Sequence, residues 1–178
     1  MPKFIILNHL PPYAATPQAF GWKYPREGFV VEFIPENKPT WVGNFKPGLG
    51  GIDDVVEHLN GKRLIVIAKG DGYIIDPETR ALVSTFSWGI DYYVLVPELN
   101  EIVFGNLCYF LAFGTAGLLW KTRDIAWGDG IRAITRTKTS LSGESYNPMY
   151  DSWIPFSVDL TDGSAKGGSS FNHPNRYD

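Results

Sequence analysis

Two stretches of this chain lie over one another without a gap, and that register limits the fold more than any other property of the sequence. Gly72-Tyr73-Ile74-Ile75-Asp76-Pro77-Glu78-Thr79-Arg80-Ala81-Leu82-Val83 aligns with Cys108-Tyr109-Phe110-Leu111-Ala112-Phe113-Gly114-Thr115-Ala116-Gly117-Leu118-Leu119 at an offset of 36 residues. Ahead of it, Val66-Ile67-Ala68 aligns with Ile102-Val103-Phe104, and Phe156 to Gly163 forms a weaker third copy. Each copy reads as a strand, a polar turn carrying Thr, Asp or Gly, and a return strand. Apolar runs at 63–68, 72–76, 81–86, 92–97, 101–104, 108–113 and 117–121 are separated by short turn clusters such as Lys69-Gly70-Asp71-Gly72 and Glu98-Leu99-Asn100. Short β-rich runs joined by such turns are the signature of an antiparallel meander.

The repeated unit resembles a β-propeller blade, in which a strand ending in Asp turns over and returns. Three copies fall short of the four or more blades that close a ring. The expected fold class is therefore mainly β: an antiparallel meander forming a curved sheet, a partly closed barrel or a small sandwich. A length of 178 residues fits one domain over 1–178. Within it, 1–50 reads as irregular strands and Pro-rich loops, 63–163 as the repeated strand units, and 164–178 as a flexible Gly/Ser/Asn tail. One short α-helix is expected at 52–60, because Ile52, Val55, Val56 and Leu59 follow the i, i+3, i+4, i+7 stripe. Asp53 and Asp54 would start it, and Gly61 would stop it.

The segments 123–131, 142–148 and 151–160, with Trp127-Gly128-Asp129 and Asp151-Ser152-Trp153 among them, resemble a group of uncharacterised bacterial proteins. Some small proteins of that kind are similar to immunity proteins that neutralise a toxin. The resemblance supplies no catalytic residues.

Several chemistries find little support. Sixteen Lys and Arg against nineteen Asp and Glu give a net charge of -3 with no basic stripe, which argues against nucleic acid as a partner. Cys108, the only cysteine, reads as a small hydrophobe inside a strand, and one thiol excludes an internal disulfide. His9, His58 and His173 are not spaced as metal ligands, so no metal and no cofactor is expected; His58 reads as a contact to the helix C-terminus. Gly48-Leu49-Gly50-Gly51 lacks the Lys-Ser/Thr ending of a phosphate loop and reads as a turn. No apolar run is long enough for a signal peptide or a membrane span, so the expected location is cytoplasmic.

What remains is a set of Trp and Asp residues beside glycines in loops. Trp88, Asp91, Tyr92, Trp127 and Asp129 are the expected binding surface, since Trp and Tyr bury large areas at small rotamer cost. The function this implies is a non-catalytic cytosolic protein-binding domain, an immunity or inhibitor protein that covers a toxin or enzyme by steric occlusion. The alternative is a carbohydrate-binding or carbohydrate-hydrolysing domain with Glu144 and Asp151 as paired carboxylates among aromatic residues. A third reading completes the repeat set by self-association.

Overall fold

A computed structural model describes the chain apart from residues 1–2, 13–15, 25, 87–88, 129 and 171–178. Among the described residues, sixteen strands build four separate four-stranded sheets. Sheet 1 comprises β1 (Phe4–Leu7), β2 (Gln18–Phe20), β3 (Phe29–Phe33) and β4 (Trp41–Phe45), in the spatial order β1-β3-β4-β2. Sheet 2 runs β5 (Asp54–Glu57), β6 (Leu64–Ala68), β7 (Asp71–Asp76), β8 (Ala81–Phe86). Sheet 3 runs β9 (Ile90–Val96), β10 (Glu101–Asn106), β11 (Phe110–Gly114), β12 (Gly117–Lys121). Sheet 4 runs β13 (Ile131–Arg136), β14 (Ser140–Asn147), β15 (Ser152–Asp159), β16 (Ala165–Gly167). Sheets 2, 3 and 4 are up-and-down meanders, the four-stranded unit from which propellers are built. Sheet 1 departs from that pattern because β2 joins β4 in parallel. The chain divides into two compact units, 1–92 and 93–178, with the division inside β9.

In the first unit, alternate residues of β4 face sheet 2. Trp41 stacks on Phe33 at 4.3 Å, Phe45 stacks on Phe20 at 4.8 Å, and Tyr73 meets Phe45 at 5.3 Å. These rings close over Val31, Leu64, Val66 and Ile75. Every residue of β6 is buried, which is why Leu64 to Ala68 reads as an unbroken apolar run. The polar tips are placed as well: the Trp41 indole donates to the Pro77 carbonyl at 2.9 Å and the Tyr73 hydroxyl to Lys46 O at 2.8 Å. Burial pushes the Tyr73 phenol up to about 12. In the second unit, Phe110 of β11 meets Phe156 of β15 at 5.8 Å, and the Trp120 indole donates to Leu160 O at 3.0 Å.

Two expectations are corrected. The four sheets are separate and none is closed, so the expected partly closed barrel or single curved sheet is not formed. The described residues contain no helix; 54–57 is strand β5, paired antiparallel with β6 from Asp54↔Ile67 to Glu57↔Leu64. The apolar stripe has helical spacing, but two β-branched valines side by side favour a strand, and so short a helix has little stability of its own. Asn60-Gly61 is a hairpin turn: Asn60 Oδ1 accepts the amides of Lys62 and Arg63, and Gly61 takes φ +70°. His58, buried in this hairpin, accepts the Asn60 amide on Nδ1 at 3.2 Å. Within the segment read as a tail, Ala165–Gly167 is paired with β15 as β16, and residues 171–178 lie outside the described residues. Cys108 also lies outside the strands, in the β10–β11 connection, where its amide donates to Asn106 Oδ1.

The repeat survives in detail. Its copies are the third strand, turn and fourth strand of sheets 2, 3 and 4. Asp76 and Asp159 occupy equivalent turns and do the same work there: Asp76 Oδ1 accepts the amides of Glu78 and Thr79, and Asp159 Oδ1 that of Thr161. In β8 the partners Ile74↔Ser84 and Ile75↔Leu82 leave Val83 as an extra residue. In β12, Ala112↔Trp120 and Phe113↔Leu118 leave Leu119, the residue aligned with Val83.

Candidate functional site

One face of sheet 4 gathers half-buried or exposed aromatic and charged side chains from three neighbouring strands. Its geometry follows from strand alternation. Leu141, Ser145 and Asn147 of β14 are buried, so Ser142, Glu144 and Tyr146 take the opposite face. Register places Trp153 across from Tyr146, Pro155 across from Glu144 and Arg132 of β13 on the other side of Glu144. The side chains then lock together. Arg132 Nε pairs with Glu144 Oε2 at 2.9 Å, and its guanidinium lies 3.8 Å from the centre of the Trp153 ring. Tyr146 and Trp153 meet at 5.3 Å, and the Tyr146 hydroxyl donates to Asp151 Oδ1 at 2.6 Å. At the turn joining β14 to β15, Met149 and Tyr150 stand 64% and 69% exposed. Asn147 Oδ1 fixes that turn by accepting the Met149 amide.

Chemically this is a preformed amphipathic surface. Glu144 and Asp151 each already hold a neighbour: one an arginine, the other a phenol. One face of the Trp153 ring is covered by a guanidinium. No group of three or more metal-ligating side chains occurs among the described residues. Arg132 and Met149 escaped sequence reading, yet a signal existed: Tyr146 and Trp153 lie equally far from Met149-Tyr150, as cross-strand partners in a hairpin must.

The residues expected to form a binding surface are distributed otherwise. Trp88 and Asp129 lie outside the described residues. Asp91 and Tyr92 open β9 in the first unit, where Asp91 Oδ1 accepts the Gly51 amide at 2.7 Å. Trp127, in the second unit, is 54% exposed while its indole donates to Ser169 O at 2.8 Å. Gly48-Leu49-Gly50-Gly51 is a close-packed loop, with Gly50 against the backbones of Gly70 and Gly89. Leu49 at its tip is almost wholly exposed.

Strand-rich sheets of this kind define an all-β, blade-like architecture. No protein-family model matches the chain, and no curated protein matches it. Among solved structures, the chain is similar to the β-propeller domain of Myceliophteria thermophila Cps50 (Swd1), with 14% identity and a TM-score of 0.47 over 82% of this chain and 55% of that one. A eukaryotic initiation factor is similar over 79% of this chain and 39% of its own, with 13% identity and a TM-score of 0.42. The chain thus spans about half or less of the length of these structures. No helix among the described residues is long and apolar enough to cross a membrane.

Proposed function

We propose that this chain is a non-catalytic protein-binding domain whose contact surface is this face of sheet 4. One observation carries the reading: Met149 and Tyr150 stand open to solvent beside a locked row of Tyr146, Trp153 and Arg132. Aromatic residues, Met and Arg are the types enriched in interface cores, and side chains already held in place lose little entropy on docking. Glu144 and Asp151 form the acidic rim. Trp127 belongs to the same reading as a second anchor, since its indole is tethered at one end and exposed at the other. Asp91 is read as a fastener of the Gly51 loop, with its carboxylate already engaged.

In its finer form the partner is a toxin or enzyme whose site this face covers, as an immunity or inhibitor protein does by steric occlusion. The carbohydrate reading has less support, because a sugar stacking on Trp153 would have to displace Arg132 from one face of the ring. The test is capture of partners by the C-terminally tagged chain from its native host, run beside a Met149→Ala/Tyr150→Ala variant. A stoichiometric protein partner is expected, with affinity falling by about 30-fold or more in the variant, equivalent to roughly 2 kcal/mol. Equal capture by both proteins would move the surface elsewhere. Glycan binding or release that depends on Glu144 and Asp151 would favour the alternative.

A further inference from the structure

Exposed edges of β-sheets invite pairing with other strands, and folded proteins blunt them with charges, bulges, proline or shortness. Among the described residues, four open sheets give eight edges, and seven carry such a device. β2 and β16 have three residues each, β5 holds Asp54 and Glu57, and β9 holds Asp91. β8, β12 and β13 are each broken by a register shift against their neighbour. β1 is the exception. Phe4-Ile5-Ile6-Leu7 carries no charge or proline, and its register with β3 is unbroken from Phe4↔Phe33 to Leu7↔Val30. Ile5 and Ile6, on opposite faces of the strand, are each 43% exposed.

The hydrogen-bond phase of this edge is fixed. Ile34 N donates to Lys3 O, which makes Phe4↔Phe33 a non-hydrogen-bonded pair and Ile5↔Glu32 a hydrogen-bonded one. Ile5 and Leu7 therefore turn their amides and carbonyls toward β3, while those of Phe4 and Ile6 point away from it. Any added antiparallel strand must offer its own outward groups to Phe4 and Ile6.

We infer that the free edge of β1 pairs antiparallel with β1 of a second copy of this chain, in a two-fold register centred on Ile5. In that register Phe4 of each copy faces Ile6 of the other, and the outward backbone groups of both residues are satisfied. Ile5 faces Ile5 as a close non-hydrogen-bonded pair, a favourable β-branched contact. Lys3 falls opposite Leu7, and the two Lys3 side chains sit about four strand positions apart, roughly 14 Å, beyond the screening length at physiological salt. Phase and apolar pattern of β1 are thus self-complementary, and the like charges of Lys3 are kept apart. This contact is independent of the sheet 4 surface. A four-residue pair is smaller than a standard stable interface, so the dimer is a weak one.

The experiment is sedimentation equilibrium of the C-terminally tagged chain from about 1 μM to about 1 mM, spanning the range expected of a small interface. It is joined by hydrogen exchange at the two ends of that range. The expected results are a doubling of mass at high concentration and a concentration-dependent slowing confined in β1 to the Phe4 and Ile6 amides. Ile5→Lys, which sets two ammonium groups against each other on the axis, should remain monomeric throughout. A constant mass, a dimer that persists in Ile5→Lys, or unchanged exchange at Phe4 and Ile6 would each overturn the inference. If Ile5→Lys fails to fold, the wild-type exchange pattern decides alone.

Discussion

Gly50→Ala should destabilise the first unit by about 2–4 kcal/mol through steric pressure alone. A Cβ on Gly50 would lie 2.8 Å from Gly70 Cα, 2.8 Å from Ile90 O and 2.9 Å from Gly89 C, all of them main-chain atoms with no rotamer to yield. Ordinary contact would require the three backbones to retreat by about 0.6 Å. The same crossing is held by Gly50 N to Lys69 O at 2.7 Å, Gly70 N to Ile52 O at 3.0 Å and Ile90 N to Gly70 O at 3.0 Å. Overpacking costs about 1–3 kcal/mol, and stretching these bonds adds about 1 kcal/mol more. Gly61→Ala is the control. Its Cβ would meet nothing within 4 Å, but φ is +70°, so it carries backbone strain without a clash, at about 1 kcal/mol. Urea unfolding followed by far-UV circular dichroism measures both. If Gly50→Ala lies within 0.5 kcal/mol of wild type, or below Gly61→Ala, the glycine crossing is not the tight joint described above.

Other outcomes follow from buried polar groups. His58 is held below its usual range, chiefly by burial, with Arg63 adding to the effect and the Asn60 side chain opposing it. The unfolded chain therefore takes up the proton first as pH falls. His58 contributes its full stability above about pH 6.5 and loses it below, and His58→Gln should flatten the melting temperature between about pH 6.5 and 5. Glu101 is shifted the other way: burial raises its carboxyl, the Trp120 side chain partly opposes this, and Oε2 has no hydrogen-bond partner among the described residues. Its penalty grows as pH rises through the carboxylate range, so Glu101→Gln should raise the melting temperature at pH 7 and lose that advantage near pH 4. Asp76→Ala removes the acceptor of two turn amides and should cost about 1 kcal/mol in chemical unfolding, while Asp76→Asn, which keeps the acceptor, should cost less.

Legibility followed local hydrogen bonding and apolar contrast. Apart from β5, the strands of sheets 2 and 3 could be read because their buried residues are Val, Ile, Leu and Phe, and because turn residues such as Asp76 announce themselves. β14 could not: its buried side positions include Ser145 and Asn147, so polar residues stand on both faces. β13 was hidden by its bulge, where Ala133 takes a left-handed φ of +52° and breaks the alternation. The false helix at 52–60 arose from four apolar residues at helical spacing; in the strand, the adjacent Val55 and Val56 are instead buried on opposite faces. The proposed site was half visible. Tyr146, Tyr150, Trp153 and the acids beside them stood out, but the ion pair and phenol that hold those acids exist only once register sets Arg132 beside Glu144 and folds Asp151 back on Tyr146.

The order of strands also has a kinetic consequence. Sheets 2, 3 and 4 are made of neighbours in sequence, each hairpin closed by only a few residues, so no strand in them waits for a distant partner. Sheet 1 is built differently. Its first strand pairs with its third, and its second joins in parallel only after the fourth has arrived, so it is complete only once residue 45 is in place. Longer loop closure delays such pairing. Once its strands are available, sheet 1 is on this ground the slowest of the four to pair.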